Sequence, residues 1–167
     1  DQLALYNKIL VLYLLNRVSF PLTQAQIYDF FLERNYVNFM NLQRAITELV
    51  DTGFVTAKSK HNRTYLTITA EGQETLHFFE NRINEAIKQE INTYFRENEY
   101  ALRNEVSVLG DYYKSTSGEF EAHLVAKDRG IRLVDITLSV PTEEMAASIC
   151  DNWQAKNQQI YQYLTRE

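Results

Sequence analysis

The sequence predicts an α+β protein: a helical N-terminal part that carries a short β-hairpin, then a C-terminal β-β-β-α unit. Three observations lead there. Apolar residues recur at helical spacing over residues 3–17, 23–35 and 38–52. Two β-branched, aromatic-rich runs, 54–58 and 64–69, flank the polar stretch Ser59-Lys60-His61-Asn62-Arg63. After Tyr100 the hydrophobic period shifts from 3.6 to 2 and stays there until Pro141.

In the first helix, Leu5, Ile9, Leu10, Leu12, Leu14 and Leu15 make a broad buried face. Pro21 stops it, and Phe20-Pro21-Leu22 is extended, as the residue before proline prefers. Thr23 is the next N-cap, and Gln26 three residues later completes a capping box. Ile27, Phe30 and Phe31 form the inner face up to Asn35. Asn38 opens a helix over about 38–52 with the inner stripe Leu42, Ala45, Ile46, Leu49 and Val50. Its outer face is Met40, Asn41, Arg44, Thr47, Glu48 and Asp51. Gly53 stands where a left-handed residue ends the helix. After the hairpin, Thr69 caps a helix from about Ala70. Leu76, Phe79, Ile83, Ile87, Ile91 and Tyr94 continue an apolar stripe along it. Asn81-Arg82-Ile83-Asn84 allows a break with Asn84 as a second N-cap, so one long helix or two angled ones both fit.

Three strands follow, at 105–113, 119–127 and 131–140, with turns at Ser115-Thr116-Ser117-Gly118 and Asp128-Arg129-Gly130. Phe120, Ala122, Leu124 and Ala126 share one face, as do Val134, Ile136, Leu138 and Val140. Pro141 ends the last strand and Thr142 caps a final helix. That helix is apolar at Met145, Ala146, Ile149, Cys150, Trp153, Ile160, Tyr161 and Leu164. The expected organisation is 1–82, a connecting helix 83–103, and 104–167.

Helix, turn, helix and hairpin in this order make a winged helix-turn-helix. That motif places one helix for a DNA major groove and a cationic wing for the neighbouring backbone. The candidate base-reading residues are Asn41, Gln43, Arg44 and Thr47. Asn and Gln pair bidentately with adenine, and Arg with guanine. The candidate phosphate-contacting residues are Lys58, Lys60, His61 and Arg63. Against the helix reading stand Glu48 and Asp51, carboxylates that weaken binding near phosphates. The plain alternative is that helix and hairpin tip are merely solvated surface.

The net charge of −5 hides an asymmetry. Residues 1–70 carry seven Lys and Arg against five Asp and Glu, a balance of +2, which leaves ten against 17, or −7, in the remainder. The sign suits DNA in the N-terminal part, although dedicated DNA-binding domains are usually more basic. No apolar run reaches the roughly 18–20 residues of a membrane span. Cys150 is the single cysteine, so no internal disulfide forms and a reducing cytoplasm is the expected setting. His61, His77 and His123 have no ligand spacing, and no phosphate loop, zinc-protease motif or nucleophile elbow occurs. No enzyme activity, cofactor or metal is therefore expected, and His123 reads as a surface residue. The 11 tyrosines suit an interface, a pocket, or the rim of a core.

Ile68-Thr69-Ala70-Glu71-Gly72 resembles the L-T-x-x-G that follows the wing in regulators of the multiple-antibiotic-resistance and phenolic-acid repressor types. Glu48-Leu49-Val50-Asp51-Thr52-Gly53-Phe54-Val55 resembles their helix-to-strand junction. Over nearly its full length the chain resembles an uncharacterised domain-of-unknown-function family of Gram-positive bacteria. Phe20-Pro21-Leu22-Thr23, Val140-Pro141-Thr142 and Ile149-Cys150-Asp151-Asn152-Trp153 carry that likeness. It implies a transcriptional regulator and brings no ligand or operator with it.

The expected function is sequence-specific binding of double-stranded DNA as a homodimer, since one recognition helix reads only a few base pairs. The alternatives are a winged-helix protein-interaction module and a ligand sensor with no direct DNA contact. The stripe from Leu76 to Tyr94 is either a dimer interface or is covered by the C-terminal sheet through Phe120, Leu124, Ile136 and Leu138.

Overall fold

Helix α1, Gln2–Asn16, is the centre of the first of two units, Asp1–Leu102 and Arg103–Glu167. The computed structural model describes residues 1–60, 62–128 and 130–166, without the side chains of Glu105 and Val106. His61 of the expected wing and Arg129 of the expected second turn lie outside the described residues. From Ile9 to Leu15 every residue of α1 is buried. A helix that is apolar all round belongs inside a core. Strand β1 is Leu22–Thr23, followed by α2, Gln24–Glu33. Both halves of the capping box form: Gln26 N donates to Thr23 Oγ1 (3.1 Å) and Thr23 N to Gln26 Oε1 (2.9 Å).

Helix α3, Phe39–Asp51, starts where Asn41 N donates to Asn38 Oδ1 at 2.8 Å. Gly53, at φ +82°, ends it. Gly53 N donates to Val50 O and Phe54 N to Leu49 O, so the last carbonyls are satisfied before the chain turns into strand β2. Strands β2, Val55–Lys60, and β3, Arg63–Ile68, pair antiparallel, and β1 joins the other edge of β3, giving the order β1-β3-β2. The ladder is longer than expected. Ser59, Lys60 and Arg63, read as turn residues, are paired in it. A hairpin that runs beyond its core is wet on both faces, so polarity there does not mark the end of the strands. Asn62, in the connection, has φ +61°, which Asn tolerates better than most residues.

Thr69 Oγ1 accepts from Gly72 N (3.1 Å) to cap α4, Ala70–Phe79, and donates to Gly53 O (2.8 Å). Gly72 has a steric reason to lack a side chain. A Cβ there would stand 2.2 Å from Phe54 O and 2.9 Å from Ile68 Cγ1. Gly72→Ala must push the first turn of α4 off the start of the hairpin. The expected loss is about 1–3 kcal/mol, seen as a lower urea midpoint with an unchanged m-value; an unaltered midpoint would show that the turn yields freely.

The apolar stripe does break. A 3₁₀ turn, Glu80–Arg82, precedes α5, Glu85–Ser107, and Asn84 Oδ1 accepts from Ala86 N at 2.8 Å. The stripe belongs in good part to the core of its own unit. Leu76, Ile83 and Ile91 are buried in the core of the first unit, with Phe79, Ile87 and Tyr94 packed against it. Leu124, Ile136 and Leu138 belong to a separate core. Phe95 and Leu102 of the expected connecting helix are also in the first core. Arg34 fastens α2 to α5: it donates to Glu90 Oε1 at 2.7 Å and lies over the rings of Phe30 and Tyr94, while the Tyr36 hydroxyl donates to Glu90. Burial, then Glu90, push the Tyr36 hydroxyl up to about 12.

The second unit is an antiparallel sheet in the order β4-β5-β6, with α6 against it. The strands are β4, Val108–Lys114, β5, Phe120–Asp128, and β6, Ile131–Val140; α6 is Glu143–Thr165. The first strand begins three residues later than expected because α5 runs on to Ser107. A helix under way adds one bond per residue at little cost, and no glycine or proline intervenes before Gly110. Phe120, Ala122, Leu124 and Ala126 stand opposite Val140, Leu138, Ile136 and Val134, as the alternation required. Trp153 is 2% exposed and donates Nε1–H to Val125 O at 2.9 Å. At Gly110 a Cβ would come 3.2 Å from Cα of Cys150, so α6 lies directly on β4 there. Ile160 is half-buried, but Met145, Tyr161 and Leu164, expected in the core, are exposed. Among the described residues no helix is long and apolar enough to cross a membrane.

Candidate nucleic-acid interface

The inner stripe of α3, Leu42, Ala45, Ile46 and Leu49, is buried, which turns the opposite side outward. Gln43, Arg44, Thr47 and Asp51 are exposed there. Asn41 is half-buried and lines a narrow cleft against α1 with Asp1, Ala4 and Asn7, a cleft whose rim Arg44 and Glu48 share. The α1 helix also claims Glu48: Lys8 Nζ is 2.7 Å from Glu48 Oε2. The hydrogen bond and charge of Lys8 hold the Glu48 carboxyl below its ordinary range, with Arg44 adding to the effect. One of the two carboxylates that count against DNA is thus already neutralised within the fold.

Two residues of α3 outside the predicted site are prominent on its surface. Met40 is 71% exposed and Phe39 51%, the latter with its ring 5.3 Å from that of Tyr28. A helical projection places Met40 on the outer face; that α2 leaves Phe39 half uncovered depends on tertiary packing.

The hairpin register sorts the cations. Val55, Ala57 and Ser59 stand opposite Ile68, Leu66 and Thr64, and this face carries the buried Val55 and Leu66. Thr56, Lys58 and Lys60 stand opposite Thr67, Tyr65 and Arg63 on the other face. Lys58, Lys60 and Arg63 therefore share one face, with Lys60 directly across from Arg63. Like charges in that position repel. Neither Lys58 nor Lys60 has an ion-pair partner among the described residues. Arg34, by contrast, is spent on Glu90 inside the unit.

Elsewhere, His123 Nε2 is 2.7 Å from Asp135 Oδ1, and Arg132 Nη1 is 3.3 Å from Asp135 Oδ2. This small surface network sits on the sheet face opposite Ala122 and Leu124. Tyr113 donates to Glu121 at 2.6 Å and Tyr112 to Glu143 at 3.4 Å. No group of three potential His, Cys, Asp or Glu metal ligands occurs among the described residues.

The architecture defines a mixed α+β protein with two small antiparallel sheets, one bearing a cationic hairpin beside an exposed helix face. The chain belongs to the DUF4364 family, a domain of unknown function, whose profile matches residues 7–167. No curated protein and no solved structure matches it.

Proposed function

We propose that the N-terminal unit is a winged helix-turn-helix and that the protein is a DNA-binding transcriptional regulator of the cytoplasm. The observation that carries this is the alignment of Lys58, Lys60 and Arg63 on one exposed face of the hairpin, with two cations set directly across the ladder. A phosphate backbone laid along that face neutralises such a row of cations and releases counterions in exchange. Helix α3 supplies the reading face with Gln43, Arg44 and Thr47. Pairing of Glu48 with Lys8 removes much of the case for an acidic break between Arg44 and Arg63, the feature that would favour a protein partner instead. Asp51 stays exposed at the far end of the helix. A two-fold dimer fits this role because a single helix reads too few base pairs for specificity.

The test is selection of duplexes from a random pool by the purified chain. Recovery of one preferred sequence supports the reading, and failure to retain any duplex at low salt ends it. On the selected site, Arg44→Ala is expected to relax preference at one base pair and to cost about 1–3 kcal/mol if that residue reads a guanine. Equal discrimination by wild type and variant at every position would remove Arg44 from the groove.

A further inference from the structure

We infer that Met40 recognises the 5-methyl group of a thymine beside the base read by Arg44, so that the preferred duplex carries a thymine at that step. The inference rests on the DNA-binding reading and adds a ligand chemistry to it. On α3, Met40, Arg44 and Thr47 stand at i, i+4 and i+7, one stripe along the centre of the exposed side. They span about 10 Å of helix, roughly three base-pair steps. The stripe is apolar at one end, cationic in the middle, and ends in a side chain with both a methyl and a hydroxyl group. Met40, 71% exposed, is too open to contribute much to the core.

The occupant follows from charge and from groove chemistry. From Phe39 to Thr47 helix α3 contains no carboxylate; Glu48 is held by Lys8, and Asp51 is exposed one turn beyond Thr47, at the C-terminal end of the stripe. This end of the helix also carries the positive end of its dipole. The surface thus suits a polyanion, and the cations of the hairpin face suit the same one. In a duplex major groove the only apolar group offered by the bases is the thymine 5-methyl. Recognition helices make base contacts through their N-terminal residues, which is where Met40 lies. An unbranched thioether adapts to such a group without requiring a fixed geometry.

The test uses the full chain and a duplex it has selected. Thymines are replaced one at a time by deoxyuridine, which removes the methyl and leaves pairing intact. Wild type is expected to bind about fourfold more weakly at one thymine next to the base pair read by Arg44, the effect of losing one buried methyl-sized group. Met40→Ala is expected to bind the thymine and uracil duplexes alike, and Met40→Leu to keep the difference, with unchanged melting temperatures for both variants. Equal binding of thymine and uracil at every position by wild type overturns the inference, as does an undiminished penalty in Met40→Ala. If no duplex is retained at all, the DNA-binding reading fails first, and this inference falls with it.

Discussion

Replacing Lys58, Lys60 and Arg63 together by alanine is expected to flatten the dependence of log K on log salt by about 2.7, from roughly 0.9 for each phosphate that is no longer neutralised. Between 50 and 200 mM salt, the fall in affinity of the variant would then be about 40-fold smaller than that of wild type. Selected and unrelated duplexes should weaken alike, because contacts to the backbone carry no base identity. The hairpin should remain paired, since Val55, Ala57 and Leu66 on its other face are untouched. A variant with the wild-type salt slope would show that this face never meets DNA.

The second large effect lies in the C-terminal unit. Trp153→Ala removes the largest buried side chain of that core and leaves the Val125 carbonyl without its indole donor. The expected cost is about 3–5 kcal/mol, read as a lower denaturation midpoint of the transition assigned to residues 103–167. Residues 1–102 have a core of their own, built on α1, and their transition should stay in place. Because Trp153 is the single tryptophan, its fluorescence in the wild type marks the second transition without labelling. Trp153→Phe keeps most of the packing and isolates the hydrogen bond, worth about 0.5–1.5 kcal/mol. A Trp153→Ala midpoint equal to that of wild type would mean that the helix does not depend on its anchor.

Features decided within a few residues were legible in the sequence. Thr23 with Gln26, Asn38, Thr69, Asn84 and Thr142 each cap the helix that their side chains announced. Gly53 turns the chain as expected, and the alternating apolar residues of β5 and β6 face α6. What could not be read depends on partners distant in sequence. Lys8 and Glu48 are 40 positions apart, and their pairing changes the electrostatics of the reading face. Arg34 and Tyr36 meet Glu90 across 56 and 54 positions. The stripe from Leu76 to Tyr94 exceeds what its unit can cover only if α1 offers a single face; buried all round from Ile9 to Leu15, that helix offers more. The candidate site was legible in part. Gln43, Arg44 and Thr47 are exposed, Asn41 is half-buried in a cleft against α1 that Arg44 also lines, and Met40 is on the expected face with no role that the sequence alone assigns.

The seating of α6 on β4 at Gly110 has a consequence for chemical reactivity. Cys150 lies at that contact, and burial first, then the charges of Asp111 and Asp151, push its thiol above the ordinary value. Thiolate is the form that reacts, so alkylation of the closed unit is slow. Lifting the helix from the strand exposes the half-buried sulfur further and restores a common acidity, so labelling quickens as this separation becomes more frequent. With one cysteine in the chain, a single mass shift becomes a clock for the breathing of one helix on one strand.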